Sequence, residues 1–493
     1  MKRNILILIT IIFLNNIYSQ DILFVKDITL RSIKNDIRES LPIINKVRNE
    51  LTLFLLDEWF INGITLNTDF ELIDEYTTSR PDYEYLLGYS IDSNNYYFFF
   101  SNDKKNEFYS KTINIINKSS IERPIELDLS EEEFIESFEY NNQFYLLTIK
   151  KSSSIIKIYI FKGDEIIDFK QFDFNKYQFS KSQSNTLYNV LNKNTNPLLN
   201  PINIYKTDTF NPYSFDKNSK KNKFYFIDGK IYITLDNEIN NTKILTINVK
   251  NLSSNVKYFE YPNSFCSNAL IIKTNSFISN NTIYQVVGCK QGISVYSRNL
   301  HTGIENNVFD LQKNQRKIFR HASAIQEGGT TWITQSSNRT LENTKKILKK
   351  INTSNISISV NYTKNIQELI IGGYKEIPGG IKGGGMVMTS PGSSFSTPTG
   401  TVTVPPTYEY DPDLYGQSKN PRIRKVYFKI INDNLKENHF NIVSSINVFD
   451  KVKDYSKKMR DDIAAVSIFK INDFYIYGYY NELEKKYYLR KFK

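Results

Sequence analysis

Lys223–Lys250 reads KFYFIDGKIYITLDNEINNTKILTINVK and contains three strands separated by two turns. Phe224–Ile227 is a run of aromatic and branched residues, which favours a strand. Asp228-Gly229 follows, a strong two-residue hairpin signal because both turn positions require positive φ. The rest of the unit is a returning strand, a second turn and a third strand, at Lys230–Leu235, Asp236–Asn241 and Lys243–Val249. The stretch predicts an antiparallel β-meander.

Units of the same kind recur along the chain. They lie at Asn94–Asn114, Gln143–Phe172, Asn281–Leu311 and Asp473–Phe492. Their leading strands align on Tyr96, Phe144, Ile231, Tyr284, Trp332, Val426 and Phe474, so the successive gaps are 48, 87, 53, 48, 94 and 48 residues. A repeat of this length, with three or four antiparallel strands, is the spacing of a β-propeller blade.

We therefore predict an all-β chain that forms a β-propeller of about seven to eight four-stranded blades. Two of the gaps are close to double the others, as if one repeat in each were diverged or enlarged. Two tandem β-sandwiches are the alternative architecture. The 48-residue spacing continues across any plausible midpoint of the chain and favours the propeller.

Two segments resemble blades of known propeller families. Asn281–Ile304 ends in Asn299-Leu-His-Thr-Gly303 and resembles a quinoprotein-type blade, in which a strand is followed by a residue-Thr-Gly turn. Ile325–Trp332 resembles a degenerate Asp-box, the Ser-x-Asp-x-Gly-x-Thr-Trp turn of sialidase-like propellers, with Ile325 replacing the Ser and Glu327 the Asp. In its families the Asp-box is a structural turn away from catalysis. Both resemblances imply the fold alone.

Helical patterns are rare. Leu30–Leu51 shows some 3.6-residue periodicity, and Ser130–Glu133 has the form of a capping box before a short segment that ends near Phe138. Lys451–Ile463 is a third candidate. We predict that all three are short helical connectors.

The first nineteen residues have the order of a secretory signal. A basic pair and an apolar run over Lys2–Leu14 precede a polar, small-ended exit that finishes at Ser19. The apolar core is too short to span a bilayer, so we predict a signal peptide over 1–19 and the β-propeller over 20–493. Since Cys266 is the first cysteine, a lipid-modified N-terminal Cys is excluded. We expect an exported protein that is not membrane-spanning and resides in the periplasm or at the cell surface.

Composition restricts the possible partners and cofactors. The chain has 63 basic and 52 acidic residues, a net charge of +11, and most of the excess is scattered Lys, with clusters at Lys345–Lys350 and Lys485–Lys493. Scattered charge forms no continuous stripe for a phosphate backbone, so we expect no nucleic-acid partner. The abundance of Lys, Asn, Ile and Tyr is typical of AT-rich genomes, and with the N-terminus it resembles envelope proteins of Gram-negative bacteria. Because there are only 3 His and 2 Cys, a Cys/His zinc cage is excluded, and we predict no cofactor and no metal site.

The sequence lacks recognisable catalytic motifs. HExxH, GxSxG, GxGxxG and GxxxxGK(S/T) do not occur. His321 and Ser323 lie two residues apart without an evident third group. Asp411–Gly416 begins like a calcium loop but lacks oxygen ligands at later required positions, and a solvated helix face explains the acidic group Glu131–Glu136. We predict no catalytic residues and a non-enzymatic protein.

Cys266 and Cys289 are the only cysteines and lie 23 residues apart. In an exported protein two cysteines usually form a disulfide where geometry permits. The strand register that we infer does not place them directly opposite each other. The sequence leaves this disulfide candidate open.

Residues 372–421 differ in composition from the rest of the chain. They contain 10 of the 20 Gly and 7 of the 14 Pro, and Gly383–Tyr408 carries no charge. We call 372–421 the arm and interpret it as an insertion within the propeller. An ordinary inserted loop is one explanation. The other is an uncharged segment that threads into a groove or pore of a partner, through the apolar and aromatic residues Met386, Val387, Met388, Phe395, Val402, Val404, Tyr408 and Tyr410.

Three functions remain open from the sequence. The first is an exported binding scaffold that engages a protein partner of the cell envelope through the arm, in an outer-membrane transport or secretion complex such as the type IX apparatus. The second is a glycan-binding or glycan-cleaving, sialidase-like propeller, which many Tyr and the degenerate Asp-box favour. The third is a secreted adhesin. The distinct composition of the arm favours the first.

Overall fold

The computed structural model describes most of the chain after the predicted signal peptide. The described residues are 21–32, 38–83, 85–180, 185–192, 202–207, 212–261, 266–315, 324–328, 339–363, 366–376, 394–397, 400–403, 423–432, 441–443, 446–459 and 462–493. The signal peptide predicted over 1–19 lies outside them, as do His321 and Ser323.

The described chain is all-β, with strands in almost every segment and four helices. Sheets 1 to 3 contain β2 to β13, whereas β1 joins the last sheet. The strands are β1 (Ile22–Asp27), β2 (Glu39–Asn45), β3 (Glu50–Leu56), β4 (Phe60–Leu66), β5 (Leu72–Ser79), β6 (Tyr85–Ile91), β7 (Asn95–Ser101), β8 (Phe108–Asn114), β9 (Ser119–Ile125), β10 (Glu132–Tyr140), β11 (Gln143–Lys150), β12 (Ile155–Lys162) and β13 (Glu165–Asp173). Sheet 1 is β2–β5, sheet 2 is β6–β9 and sheet 3 is β10–β13.

Sheets 4 and 5 follow in the middle of the chain. Their strands are β14 (Tyr205–Lys206), β15 (Asn222–Ile227), β16 (Lys230–Leu235), β17 (Asn241–Asn248), β18 (Ser253–Glu260), β19 (Lys273–Ser279), β20 (Thr282–Cys289), β21 (Gly292–Asn299) and β22 (Glu305–Gln312). Sheet 4 is β14–β18 and sheet 5 is β19–β22.

Sheets 6 and 7 contain the remaining strands apart from one separate hairpin. The strands are β23 (Ala324–Gly328), β24 (Arg339–Leu341), β25 (Asn355–Thr363), β26 (Ile366–Glu376), β27 (Ser394–Thr397), β28 (Gly400–Thr403), β29 (Ile423–Asn432), β30 (Asn441–Val443), β31 (Ile463–Ile471), β32 (Phe474–Asn481) and β33 (Lys486–Phe492). Sheet 6 has the order β24-β23-β29-β26-β25 with β30 beside β29, sheet 7 has the order β1-β33-β32-β31, and β27-β28 is a two-stranded hairpin. The helices are α1 (Leu187–Asn192), α2 (Phe215–Asn218), α3 (Thr344–Asn352) and α4 (Val448–Lys458).

Most sheets are antiparallel meanders in which strands adjacent in sequence pair with each other. The hairpin predicted at Asp228-Gly229 is confirmed: Ile227 pairs with Lys230, and both turn residues have positive φ, 51° and 76°. Sheet 7 differs, because its fourth strand is β1 from the other end of the chain. Val25 of β1 pairs with Tyr488 of β33.

Apolar contacts connect each sheet to the next in chain order, and sheet 7 to sheet 1. The ring centroids of Phe54 and Phe98 are 4.7 Å apart between sheets 1 and 2, and those of Phe99 and Phe144 are 4.0 Å apart between sheets 2 and 3. Three further ring contacts join sheets 3 and 4, 4 and 5, and 5 and 6, and these are Phe138–Phe224, Tyr225–Phe277 and Phe309–Phe428. Tyr427 and Tyr477 share one hydrophobic cluster between sheets 6 and 7, and Leu53 and Leu489 share another between sheets 1 and 7. Such an arrangement of antiparallel sheets is consistent with a propeller-like fold.

The two long gaps in the predicted repeat have a structural cause. The first contains α1, β14 and α2, which lie between β13 and β15. The second contains residues 377–422, which lie between β26 and β29 and include most of the arm. Residues 325–328 of the Asp-box-like segment and the strand at Val426 belong to one sheet, since Gln326 pairs with Val426. Trp332, predicted to lie in a leading strand, is outside the described residues. The first gap is therefore an enlarged connection between sheets 3 and 4, and the second contains an enlarged connection between two paired strands of sheet 6.

The three predicted connector helices have different outcomes. Lys451–Ile463 overlaps α4, whose first turn is capped by the Asn447 side chain, 3.0 Å from the Asp450 backbone nitrogen. The prediction for Leu30–Leu51 is wrong, because its described residues include β2 and the start of β3. The prediction for Ser130–Phe138 is also wrong, because β10 occupies it. A strand that packs on both faces of its sheet buries residues on both sides and can imitate helical periodicity.

The acidic group in this segment is not a solvated helix face. Glu132 is buried, and its carboxylate accepts hydrogen bonds from the Thr148 hydroxyl at 2.5 Å and the Tyr159 hydroxyl at 3.1 Å. It also pairs with the Lys157 ammonium. Sequence spacing misses these partners because they come from β11 and β12, across the sheet.

Candidate functional site

The arm emerges from the paired ends of two strands of sheet 6. Residues 372–376 are the end of β26, and Glu376 pairs with Ile423, the first residue of β29. The segment 377–422 therefore leaves and re-enters the sheet at adjacent positions. Because both ends belong to a paired antiparallel ladder, the arm has a fixed root.

Two of the eight predicted partner-binding residues lie in described strands of the arm. Phe395 of β27 pairs directly with Val402 of β28. The other six, Met386, Val387, Met388, Val404, Tyr408 and Tyr410, lie outside the described residues, as does the calcium-loop-like Asp411–Gly416.

Gly328 makes close strand packing possible at the root of the arm. Its φ is +62°, and a Cβ built there would lie 2.0 Å from the carbonyl oxygen of Ile423. Only glycine allows this backbone approach without displacement. β29 can therefore pair with β23 on one side and with β26 on the other.

A buried charge cluster holds α4 against sheet 6 below the root. The Glu327 carboxylate pairs with the Lys453 ammonium and accepts a hydrogen bond from the Tyr427 hydroxyl at 3.1 Å. Burial raises the pKa of Glu327, but the attraction of Lys453 and neighbouring Lys425 outweighs it and holds the pKa below its ordinary value. The charges of Glu327 and Lys453 compensate each other, so the cluster stabilises the packing of α4 on sheet 6 and presents no free nucleophile.

A second part of this cluster connects α4 to β26 and to the segment before α2. The Lys429 ammonium lies 2.5 Å from a carboxylate oxygen of Asp450 and 3.5 Å from Glu368. The Tyr213 hydroxyl donates to the other oxygen of Asp450 at 2.5 Å. Burial, followed by the charge of Asp450, raises the pKa of Tyr213 well above its ordinary value, so Tyr213 stays a neutral donor.

The surface beside the root of the arm is strongly basic. α3 buries Ile347, Leu348 and Ile351 and turns its lysines outward. Further cations come from β19, β24, β26 and β29. We call this surface the basic patch, and its members are Lys273, Arg339, Lys345, Lys346, Lys349, Lys350, Lys375 and Arg424.

Two cations of the basic patch cap the C-terminal end of α3. Arg424 donates to the Lys350 carbonyl oxygen at 3.2 Å and to the Ser354 hydroxyl at 3.1 Å. The Lys273 ammonium donates to the Ser354 carbonyl oxygen at 2.5 Å. Cations at this end of a helix are favourable because unpaired carbonyl groups give it a partial negative charge.

Burial and neighbouring positive charge lower the pKa of several members of the basic patch. Burial, then the charges of Arg339, Arg424 and Lys346, lower the pKa of Lys350. Burial and the charge of Lys375 lower the pKa of Lys273. The lysines are thus close enough to repel one another.

A separate open cleft of about 800 Å³ lies where the segment after β1 and the β32–β33 turn meet the β3–β4 turn of sheet 1. Its lining includes Trp59 and Phe60, which are 39% and 36% exposed, together with Arg31, Lys485 and the ion pair Arg38–Glu482. The Arg31 guanidinium lies 5.8 Å from the centre of the Phe60 ring. The described residues give neither Arg31 nor Lys485 an ion pair, so the cleft combines exposed aromatic rings with available positive charge.

Asp57 orders one wall of this cleft. Its carboxylate accepts from the backbone nitrogens of Trp59 at 2.9 Å, Phe60 at 2.7 Å and Arg31 at 3.0 Å. Beside it, burial raises the pKa of Glu39 despite the attraction of Arg80. The two aromatic rings and the arginine are therefore positioned by one buried carboxylate.

The structure joins Cys266 and Cys289 by a disulfide. Cys289 ends β20, whereas Cys266 lies in the segment that precedes β19. A strand register does not predict this pairing, because only one of the two residues lies in a strand. The bridge is buried beside Val287 and Tyr296.

Sequence reasoning identified the arm but missed the basic patch and the cleft as sites. The lysine run of α3 is visible in the sequence, yet its neighbours Arg339, Lys375 and Arg424 come from distant strands. The cleft combines the segment after β1 with the β3–β4 and β32–β33 turns, which are far apart in the sequence. Within the described residues, no group of three or more His, Cys, Asp or Glu could hold a metal ion.

Comparison with known proteins provides no family assignment. No protein-family model and no curated protein matches the chain. Among solved structures, cobalt-substituted Synechocystis ACO is similar at 6% identity and a TM-score of 0.30, over 55% of this chain and 61% of that chain. Dihydro-heme d1 dehydrogenase NirN in complex with DHE is similar at 7% identity and a TM-score of 0.27, over 56% of this chain and 48% of that chain. At these TM-scores, we infer neither fold nor function from them.

No helix among the described residues combines the length and the apolar character needed to cross a membrane.

Proposed function

We propose that the chain is an exported β-propeller of seven blades that acts as a binding scaffold in a bacterial cell envelope and engages a protein partner through its arm. Seven consecutive sheets, with β1 completing the last one, support the blade number. Joining β1 to the strands from the other end of the chain closes a ring and covers the edge of β33. Export rests on the signal-like sequence over 1–19, and an outer-membrane transport or secretion complex such as type IX is our proposed location. N-terminal sequencing of the mature protein tests the signal peptide.

The observation that carries the proposal is an arm with an uncharged stretch, Gly383–Tyr408, on a rigid root. The root is fixed by the Glu376–Ile423 pair, by the close packing at Gly328 and by the buried pair Glu327–Lys453. A rigid root holds the arm at one place and reduces the entropy lost when a partner binds it. The hairpin β27–β28 gives the arm a further strand pair that a partner sheet or groove could accept.

Removing the arm tests this proposal. Because Glu376 and Ile423 are neighbours in the ladder, residues 377–422 can be replaced by Asn-Gly, which closes a two-residue hairpin. The control replaces Asn102–Glu107, the β7–β8 loop between the paired residues Ser101 and Phe108, in the same way. We expect both variants to keep the wild-type circular dichroism spectrum.

The decisive readout is crosslinking in the native host. The arm-deleted protein should lose the envelope partner that the wild-type protein and the control variant both recover. Recovery of the same partner by the arm-deleted protein would contradict the proposal.

Glycan binding at the cleft is a second candidate function. Exposed Trp59 beside Arg31 favours it, because an aromatic ring can stack on the apolar face of a sugar while a guanidinium binds a carboxylate. Trp59→Ala and Arg31→Gln should each weaken binding of oligouronates on a glycan array, whereas Phe169→Ala, which removes an exposed ring elsewhere, should not. Equal binding by all three variants would eliminate this candidate.

A further inference from the structure

The basic patch contains positive charge that the fold does not use. None of its eight cations forms an ion pair with an acidic side chain of the described residues. Seventeen ion pairs join other residues in the described part of the chain. Arg424 and Lys273 cap α3, and Arg339 donates to the Gln326 side chain at 3.0 Å. Folding leaves the ammonium groups of the other members uncompensated, and these are Lys345, Lys346, Lys349, Lys350 and Lys375.

The patch also contains like charges that oppose each other directly. Lys375 of β26 is the register partner of Arg424 of β29, at the last but one pair before the arm. Like charges at directly opposite positions destabilise a strand pair. The fold therefore tolerates a local electrostatic cost at the root of the arm.

The shape of the patch favours a protein over a membrane as its ligand. A helix that binds a bilayer surface exposes an apolar face that enters the headgroup region. In α3 the corresponding residues Ile347, Leu348 and Ile351 are buried in the core at 1% exposure or less. Only the lysine face is available, and it suits a polar, acidic surface.

We infer that the basic patch is the electrostatic half of the partner interface and binds an acidic protein surface beside the arm. This inference rests on the proposed function for the identity of the partner, but its charge chemistry can be measured alone. The arm has an uncharged stretch of 26 residues and supplies shape and apolar contact there, while the patch supplies attraction and orientation.

Fluorescent poly-L-glutamate is the probe for the patch. The test variant is K345E/K346E/K349E/K350E, and K345Q/K346Q/K349Q/K350Q is a second variant because glutamates at the C-terminal end of α3 oppose its dipole. The matched control K46E/K104E/K176E/K470E reverses four exposed lysines on other parts of the fold. Anisotropy titrations are made in 50 mM and 200 mM NaCl.

We expect the wild-type protein to bind poly-L-glutamate more weakly at the higher salt concentration. The glutamate variant should bind about tenfold or more weakly and the glutamine variant should fall between, whereas the control should change by less than about threefold. Equal losses in test and control variants would overturn the inference. Stronger binding of polygalacturonate, or of vesicles of phosphatidylglycerol and phosphatidylcholine, would also overturn it.

The arm-deleted protein separates this inference from the proposed function. It should bind poly-L-glutamate like the wild-type protein, because the patch does not include residues 377–422. If that binding persists but arm deletion leaves the envelope partner crosslinked, the proposed function fails and the patch remains a binding surface. If arm deletion removes the partner while reversal of the four lysines does not affect poly-L-glutamate binding, only the patch inference fails.

Discussion

Replacing Asp236 with Ala should strongly destabilise the fold, because this carboxylate joins sheet 4 to sheet 5. Its side chain and that of Lys223 are both 0% exposed, and their charged atoms are 2.8 Å apart. The same carboxylate accepts from the hydroxyls of Thr242 at 2.7 Å and Tyr261 at 3.1 Å, and from Ser276 of sheet 5. Burial raises the pKa of Asp236, but Lys223 and Lys221 outweigh it and lower the pKa below its ordinary value.

The expected loss follows from what the substitution leaves behind. Removing one partner of a buried ion pair costs about 3–5 kcal/mol. Lys223 retains the Lys220 carbonyl oxygen at 2.8 Å and the Asn275 side chain at 2.9 Å, which reduces the loss. The hydroxyls of Thr242 and Tyr261 lose an acceptor, which increases it. We expect Asp236→Ala to lower the free energy of unfolding by about 4 kcal/mol.

Urea unfolding followed by tyrosine fluorescence and far-UV circular dichroism measures this change. Asp74→Ala is the control, since Asp74 is partly exposed and its pair with Lys118 should contribute less than about 1 kcal/mol. Asp236→Ala/Lys223→Met completes a double-mutant cycle and should lose about 1–3 kcal/mol less than the sum of the single variants. A loss no larger than in the control, or additive losses, would refute the reasoning.

Three further predictions concern the disulfide, a buried carboxylate and the closure of the chain. Reduction, or Cys266→Ser/Cys289→Ser, should lower the free energy of unfolding by about 3 kcal/mol, and intact mass after alkylation under native and reducing conditions checks the bond itself. Glu327 has a lowered pKa, so its stabilising contribution is complete above about pH 4.3 and is lost as the pH falls through the folded value. Glu327→Gln should therefore make Tm fall less steeply between about pH 5 and pH 3 than in the wild-type protein. An unchanged dependence of Tm on pH would count against this role of Glu327. A chain that begins at Ile28 lacks β1 and exposes the edge of β33. Compared with a chain that begins at Gln20, it should have a lower Tm and should aggregate in size-exclusion chromatography. An equal Tm would disprove the role of β1.

Local sequence predicted the strands better than the helices. Turn pairs such as Asp228-Gly229 adopt positive φ through their own backbone preferences, so the hairpin they define is visible without tertiary information. β10 was missed because Phe134, Ile135 and Phe138 are buried on both faces of sheet 3, and two-sided burial removes the simple alternation of an exposed strand.

Of the candidate sites, only the arm was recognisable as a site from the sequence, although the lysine run of α3 is visible there. A bias in composition needs no neighbours to be recognised, whereas the basic patch combines α3 with residues of β19, β24, β26 and β29. Glu132 shows the same difference, because its acidic neighbours in sequence suggested a solvated face while its real partners Thr148, Lys157 and Tyr159 lie across the sheet.

By itself the sequence determined an all-β chain of recurring meanders and the distinct composition of the arm, because hairpin turns, strand preference and charge content act within a few residues. Tertiary structure decided which sheets are neighbours, how β1 completes the last sheet, where Cys266 meets Cys289 and which cations gather at the root of the arm. These features depend on contacts between residues far apart in the chain. Long-range packing and electrostatics fix such contacts, and a local pattern does not record them.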